Sequence, residues 1–332
     1  MIERVADWLG WPRGSPTERL DALDALGPHA DGFPLATGDA ALDVLKQLDI
    51  PPQAWDEILD TAPLPDTHPD AWWVLERLYH ALVHTGEGAI PPPWPAPFPR
   101  DDPLTHHFHL HVFLAAVPHL FAMHRARGIA DDVTWWTLRD VGLQVANYEV
   151  RTGRPGFDGA FWVWPHFRGD AITVGRLQYD RRYVPDDATA GLEPRRGGPA
   201  LGVHIPALGP LTSSACDDSL GRARGFHATH FPEESYEIGI CESWLMDDQL
   251  LAYLPPASNI ARFQGRFTLG DAWSRLADTD VVRFAFGHLP PSLDDLPQDT
   301  TLGRAIVSHL RDGGHWYFRR GWLELPDLAL GT

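Results

Sequence analysis

Lysine is nearly absent from this chain of 332 residues: Lys46 is the only one. Schiff-base chemistry would therefore have a single candidate nucleophile, and it sits in a helix-patterned, surface-type stretch. Cysteine is almost as scarce. Cys216 and Cys241 alone make neither a disulfide framework nor a zinc site. No apolar run reaches membrane-spanning length. The N-terminal residues are acidic and amphipathic, unlike a secretory signal. A cytoplasmic protein without membrane insertion is therefore expected. Positive charge is also short, with Lys and Arg totalling 27 against 45 Asp and Glu, a net −18. So acidic a chain is a poor general partner for nucleic acid.

Tryptophan and histidine are abundant instead, at 14 and 17. Tryptophan suits cores, sugar rings and acyl chains alike, because it offers a broad apolar face and one donor. With 44% hydrophobic residues the chain can bury a sizeable core, and its length accommodates two domains. Residues 1 to 150 carry helical periodicity. Ile2, Val5, Ala6 and Leu9 form one stripe, and Ala41, Leu42, Leu45 and Leu48 another. Trp55, Ile58 and Leu59 form a third, and Trp72, Leu75, Leu78, Tyr79 and Leu82 a fourth. Residues 90–103 hold seven prolines and read as a stiff, extended connector. His106, His107, His109 and His111 then open a helix that continues through Val112, Phe113, Val117, Leu120 and Phe121. His107 and His111 share a helical face, the spacing of a metal pair. No Glu stands between them in a His-Glu-x-x-His arrangement, and no third ligand is evident. Trp135, Trp136, Leu138, Val141, Val145 and Tyr148 mark a last helix of this half.

The pattern changes at the Gly153-Arg154-Pro155-Gly156 run. A domain boundary is placed there, between a helical domain over 1–152 and a mixed-sheet domain over 153–332. The whole is an α/β (α+β) architecture. Residues 161–166 alternate as a strand, Arg168-Gly169-Asp170 reads as a hairpin turn, and 172–179 return as the next strand. Arg181, Arg182, Arg195 and Arg196 fall in a polar loop, a candidate phosphate clamp or simply a solvated surface. Further strands are expected over 235–246, 259–267, 281–286 and 315–325, with helices over 247–253 and 300–311. In the strand over 235–246, Glu242 interrupts an apolar face and should be desolvated, unless it lies at a wet sheet edge.

The stretch from Leu201 to Ala223 organises this half. Leu201, Val203 and Ile205 alternate as a strand, which Pro206 ends. Thr212, Ser213 and Ser214 are N-cap residues for a helix carrying Cys216, Leu220 and Ala223. A strand leading into a helix N-terminus through a Gly-containing loop concentrates free N–H groups and the positive dipole end, which suits an anion. No P-loop or Gly-x-Gly-x-x-Gly motif accompanies it, and an ordinary capped helix is the structural alternative. His204 lies on the strand face opposite the apolar set, a place for a proton acceptor or for a satisfied structural histidine.

Several of these stretches, taken together, resemble a known family. They are Gly175-Arg-Leu-Gln-Tyr179, Val203-His-Ile-Pro206 with Gly209-Pro-Leu-Thr212, Ser243-Trp-Leu-Met-Asp247, Tyr253-Leu-Pro-Pro256 and Ser258-Asn-Ile-Ala-Arg-Phe263. The family is that of two-domain acyltransferases, which join a helical N-terminal domain to a GNAT-like C-terminal one. Its best-known members are similar to the glucosaminyl N-acyltransferases of teicoplanin-type lipoglycopeptides. The resemblance implies acyl-CoA as co-substrate and an amine acceptor, with no metal. It implies a central strand that splays from its neighbour to admit the pantetheine arm. It also implies a pyrophosphate at the next helix N-terminus, at Gly209, Thr212 and Ser213. The Gln/Arg-x-x-Gly-x-Gly/Ala loop of ordinary GNAT enzymes is missing.

On this reading His204 is the base that deprotonates the amine, and Glu242 orients its imidazole. Tyr253 is a candidate acid for the leaving thiolate, or a packing residue. Trp164 and Phe161 are expected to line the acyl or sugar pocket. If they lie on a strand they face opposite ways, so at most one does so directly. Two other classes compete: a metal-dependent hydrolase using the histidines from His106 to His111, and a non-catalytic acyl- or carbohydrate-binding protein.

Overall fold

A computed structural model of the chain describes residues 1–12, 14, 17–84, 103–187 and 191–326. It divides into two compact units, Met1–Asp170 and Ala171–Thr332.

The described part of the first unit is helical. Its helices are α1 (Ile2–Trp8), α2 (Glu18–Leu26), α3 (Gly38–Gln47), α4 (Trp55–Asp60), α5 (Pro69–Val83), α6 (Pro103–Ala126), α7 (Asp131–Thr152) and α8 (Ala160–Phe167). The apolar stripes read from the sequence meet in one core. Val5, Leu9, Leu45, Ile58, Leu75, Leu78, Phe108, Phe113, Leu138 and Val141 are all within it and fully buried. Helix α5 starts with proline at its first position, where no N–H is needed. Helix α7 ends at Gly153, whose φ of 75° lets its N–H return to Glu149 O. Most of the expected proline-rich connector over 90–103 lies outside the described residues; only Pro103 is within them, as the first residue of α6.

The first strand expected in the second half is not a strand. Residues 160–167 form α8, which packs in the helical unit through Val163, Trp164 and Phe167. Short-range alternation of aromatic residues imitated a strand, but a 3.6-residue period buries the same three side chains. Arg168-Gly169-Asp170 leaves that helix rather than turning a hairpin.

The second unit carries a six-stranded sheet: β1 (Ala171–Val174), β2 (Leu177–Tyr183), β3 (Pro199–His204), β4 (Ile238–Ser243), β5 (Thr268–Leu276) and β6 (Tyr317–Glu324). The strand order is β1-β2-β3-β4-β6-β5. Only β3 and β4 pair in parallel among the described ladders. Between them lies the crossover helix α9 (Ser213–His230), and α10 (Asn259–Gln264), α11 (Asp278–Phe286) and α12 (Thr301–Arg311) complete the unit.

Three strand assignments are corrected here. The stretch 172–179 is a tight hairpin, because Gly175 adopts a φ of 69° and turns the chain between β1 and β2. The stretches 259–267 and 281–286 are helical, as α10 and α11. Ser258 caps α10 by accepting from Ala261 N at 3.2 Å, and Gly287, with φ 79°, ends α11. Arg181 and Arg182 stand in β2, not in a loop. The helix over 300–311 and the strand over 315–325 are present as α12 and β6. No described helix is long and apolar enough to cross a membrane.

Candidate active site

The parallel ladder of β3 and β4 is short. Leu201 pairs with Gly239 and Gly202 with Ile240, while the two strands run on to His204 and Ser243. The ladder therefore closes just before His204. Alternation along β3 puts Ala200, Gly202 and His204 on one face, with Leu201 and Val203 on the other. On the neighbouring strand Gln178, Asp180 and Arg182 share the face of His204, at register positions opposite His204, Gly202 and Ala200.

That face carries a chain of charges across four strands. Asp180 Oδ1 and His204 Nε2 form a short contact. Arg182 grips the same carboxylate through Nε at 3.0 Å and Nη2 at 2.9 Å. Its Nη1 reaches Glu242 at 3.3 Å. Glu242, opposite Arg320 in the β4–β6 ladder, also accepts from Arg320 Nε at 2.6 Å. Arg320 Nη1 in turn donates to Asp187 at 2.7 Å. Burial works against the charged form of Asp180, but the hydrogen bond and charge of His204, with Arg182, hold its carboxyl well below the usual carboxylate range. Arg182 likewise loses to burial and gains more from Asp180 and Glu242, so its guanidinium stays charged.

Glu242, expected to orient His204, stands between two guanidinium groups, and the carboxylate described in contact with His204 is that of Asp180. The reason is geometric. Across the antiparallel β2–β3 ladder Asp180 sits diagonal to His204, within side-chain reach, whereas the β3–β4 pairing ends at Gly202.

The loop from β3 to α9 is held by two guanidinium groups and leads into a capped helix. Gly209 adopts a φ of 96°. Thr212 is the N-cap, its hydroxyl accepting from Ala215 N at 3.4 Å. Arg176 fans its guanidinium across the loop carbonyls, donating to Pro206 O at 2.9 Å, Gly209 O at 2.8 Å and Pro210 O at 3.2 Å. Arg266 binds the first residue of the helix, donating from Nη2 to Ser213 Oγ at 2.6 Å and Ser213 O at 3.1 Å, and from Nε to Asp217 at 2.8 Å. Both guanidinium charges act on buried Cys216, whose thiol burial pushes up and these two cations pull back. Sequence reading missed Arg176 and Arg266, since each lies in a segment remote from the loop it serves.

Tyr253 donates or accepts at His309 Nδ1, 3.0 Å away, and its ring packs edge-on to Trp316. Trp164 is buried in the first unit and Phe161 is 85% exposed there. One helical turn apart on α8, Trp164 packs into the core of that unit while Phe161 is left exposed. His107 is buried and bonded through Nε2 to Glu57 at 3.0 Å. Among the described residues no group of three or more His, Cys, Asp or Glu is arranged to hold a metal ion.

Two family models match. One, an N-acyltransferase N-terminal domain, spans residues 39–169, and the other, a GNAT-like C-terminal domain, spans 172–323. No curated protein sequence matches. Among solved structures the chain is similar to an acyltransferase mutant in complex with octanoyl-CoA, at 37% identity and a TM-score of 0.90, covering 98% of this chain and 100% of that one. It is similar at 37% identity and a TM-score of 0.89 to an acyltransferase in complex with decanoyl-CoA and teicoplanin, covering 98% of this chain and 99% of that one. A third, with CoA and 10C-teicoplanin, matches equally well.

Proposed function

Since the chain belongs to the acyltransferases that join an N-acyltransferase N-terminal domain to a GNAT-like C-terminal domain, we propose that it moves an acyl group from acyl-CoA to the glucosaminyl amine of a teicoplanin-type glycopeptide. A cytoplasmic setting, where acyl-CoA is available, fits this role. The observation that carries the reading is the place of His204, at the point where the β3–β4 ladder closes and beside the loop that leads into α9.

The chemistry needs little else. The acceptor amine is largely an ammonium at neutral pH and must lose a proton before it can attack. An imidazole at the mouth of the strand gap suits that task. The amine nitrogen then adds to the thioester carbonyl, the C–S bond breaks, and the thiolate takes a proton as CoA leaves. Gly209, Thr212 and Ser213 hold the pyrophosphate through the α9 N-terminus. Arg176 and Arg266 supply the positive charge that the missing Gln/Arg-x-x-Gly-x-Gly/Ala loop would otherwise frame. Phe161, exposed on α8, offers the helical unit an apolar surface for the acyl chain or the sugar.

The test is turnover. Protein incubated with decanoyl- or octanoyl-CoA and a teicoplanin-type amine should release free thiol and yield a product heavier by one acyl group. His204→Ala should keep the fold and lose at least a hundredfold in kcat at pH 7. Near wild-type turnover by that variant would end the assignment of His204, and no thiol release by the wild type with any acyl-CoA would end the reading as a whole.

A further inference from the structure

We propose that Arg182 is a positioning residue for acyl transfer: it straps β2 to β4 across the seam of the sheet and fixes the separation of the β3 and β4 ends between which the thioester reacts. The inference rests on the proposed reading that acyl-CoA delivers its acyl group there.

Three observations carry it. First, the sheet consists of two antiparallel halves with little backbone pairing between them. β3 is paired to β2 from Pro199–Tyr183 to His204–Gln178, and β4 to β6 from Ile238–Glu324 to Ser243–Arg319. Among the described residues, the parallel ladder that joins the halves pairs Leu201 with Gly239 and Gly202 with Ile240, and goes no further. Side chains therefore hold the rest of the seam.

Second, those side chains change character along it. Near the start of β3 and β4, Val184, Leu192, Ala200, Ile238 and Ile240 pack in one apolar cluster. Toward the strand ends a charged link takes over. Arg182 on β2 donates from Nη1 to Glu242 on β4 at 3.3 Å, two residues past the last paired position of that strand. Both ends of this link are anchored. Asp180 accepts from Arg182 Nε at 3.0 Å and Nη2 at 2.9 Å, and Arg320 Nε donates to Glu242 from the far side at 2.6 Å. Burial works against the charge of Arg182, and Asp180 with Glu242 more than offsets it.

Third, β3 lets the strap through. The guanidinium lies over Gly202, where a Cβ would stand 2.6 Å from Arg182 Cζ. A side chain at that position would push the guanidinium away from the sheet and off Glu242.

The consequence for the reaction is one of alignment. His204 and Ser243 end β3 and β4, at or beyond the level of the strap. CoA would be gripped mainly through its pyrophosphate at the α9 N-terminus, so a loosened seam should cost little binding. It should cost the placement of the thioester carbonyl against the amine, and a misplacement of about 1 Å can cost about a hundredfold in rate.

The experiment uses the full chain with decanoyl-CoA and the glycopeptide amine, below the melting temperature of each variant. Arg182→Gln should lower kcat by at least about tenfold. Calorimetric titration with decanoyl-CoA should keep its full stoichiometry, with Kd within about threefold of wild type. A merely destabilised chain would instead lose stoichiometry along with activity. Arg182→Lys should stay within about threefold of Arg182→Gln, because one ammonium cannot fork Asp180 and also reach Glu242. Glu242→Gln leaves the fork on Asp180 in place and should lower kcat by a similar factor. The double variant should fall no more than about twofold below the worse single one. Should Arg182→Gln not fold, Glu242→Gln carries the same test. Wild-type kcat in Glu242→Gln would overturn the inference, as would losses that multiply in the double variant. If the wild type releases thiol while the Arg182 and Glu242 variants turn over normally, the strap falls and the proposed function stands. If the wild type releases no thiol from any acyl-CoA, both fall.

Discussion

Gly202 stands opposite Asp180 in the β2–β3 ladder, and there is no space at Gly202 for even a methyl group beside the carboxylate. The glycine is required by what its neighbours do across the sheet, not by its own backbone angles. Gly202→Ala should therefore separate Asp180 from His204 without removing either. Overpacking at such a position costs about 1–3 kcal/mol. The expected result is a modest fall in Tm with at least a tenfold fall in kcat at unchanged KM, read from melting curves and steady-state kinetics. A variant that melts lower but turns over normally would show that the Asp180–His204 geometry serves stability only.

Arg266 binds the hydroxyl of Ser213 at the N-terminus of α9 and is balanced by Asp217. A cation at a helix N-terminus opposes the dipole, so an arriving pyrophosphate would relieve that conflict. Arg266→Ala should raise KM for acyl-CoA about tenfold and leave kcat within about threefold. Arg266→Lys should fall between, since it keeps the charge but not the fork. The difference should shrink at high salt, where the phosphate contact is screened. Equal loss of kcat in both variants would instead place Arg266 near the reacting centre.

Much of this site was legible in the sequence because it lies along single stretches. The alternation of Leu201, Val203 and Ile205, followed by Pro206 and the Thr212-Ser213 cap, locates both His204 and the loop after it. What could not be read is what comes together across the sheet. Asp180 meets His204 only through the register of β2 on β3, and reading 172–179 as a single strand concealed the hairpin that sets that register. Glu242 looked like the orienting carboxylate because it lies on the adjacent strand, and nothing local shows that Arg182 and Arg320 claim it. Residues 160–167 failed for a different cause. A short, mostly apolar run is compatible with either period, and only the helical core decides between them.

Asp140 on α7 ties down α8. Its carboxylate accepts from Trp162 Nε1 at 2.7 Å and from Gln144 at 3.2 Å, and pairs with His166 Nε2 at 3.2 Å. Burial opposes its charge, but these partners, His166 foremost, hold its carboxyl below the usual range. Asp140→Ala removes one side of a buried pair, which costs about 3–5 kcal/mol. For a chain of this size that corresponds to a fall in Tm of several degrees or more. Thermal melting curves check this, and an unchanged Tm in the variant would mean that Asp140 does not hold α8 in place.

The histidines of α6 make the helical unit sensitive to acid. Burial pushes His109 down to about 3, and burial together with the charge of His107 pushes His111 down to about 3. His107 is also lowered by burial, although Glu57 works in the other direction. In the unfolded chain each would take a proton near the ordinary value of 6.5. The native state therefore binds fewer protons than the unfolded state between that value and about 3. Stability is full above pH 6.5 and falls as pH drops through this window, by about 1.4 kcal/mol per pH unit for each such group. Two fully neutral buried histidines give about 3 kcal/mol lost per unit, enough to unfold an ordinary domain before its carboxylates titrate. Circular dichroism at graded pH should show the helical signal collapsing between about pH 5 and 4. His111→Leu should shallow the slope by one group's share. An unfolding midpoint near pH 3, unchanged in that variant, would mean that carboxylates govern the acid limit instead.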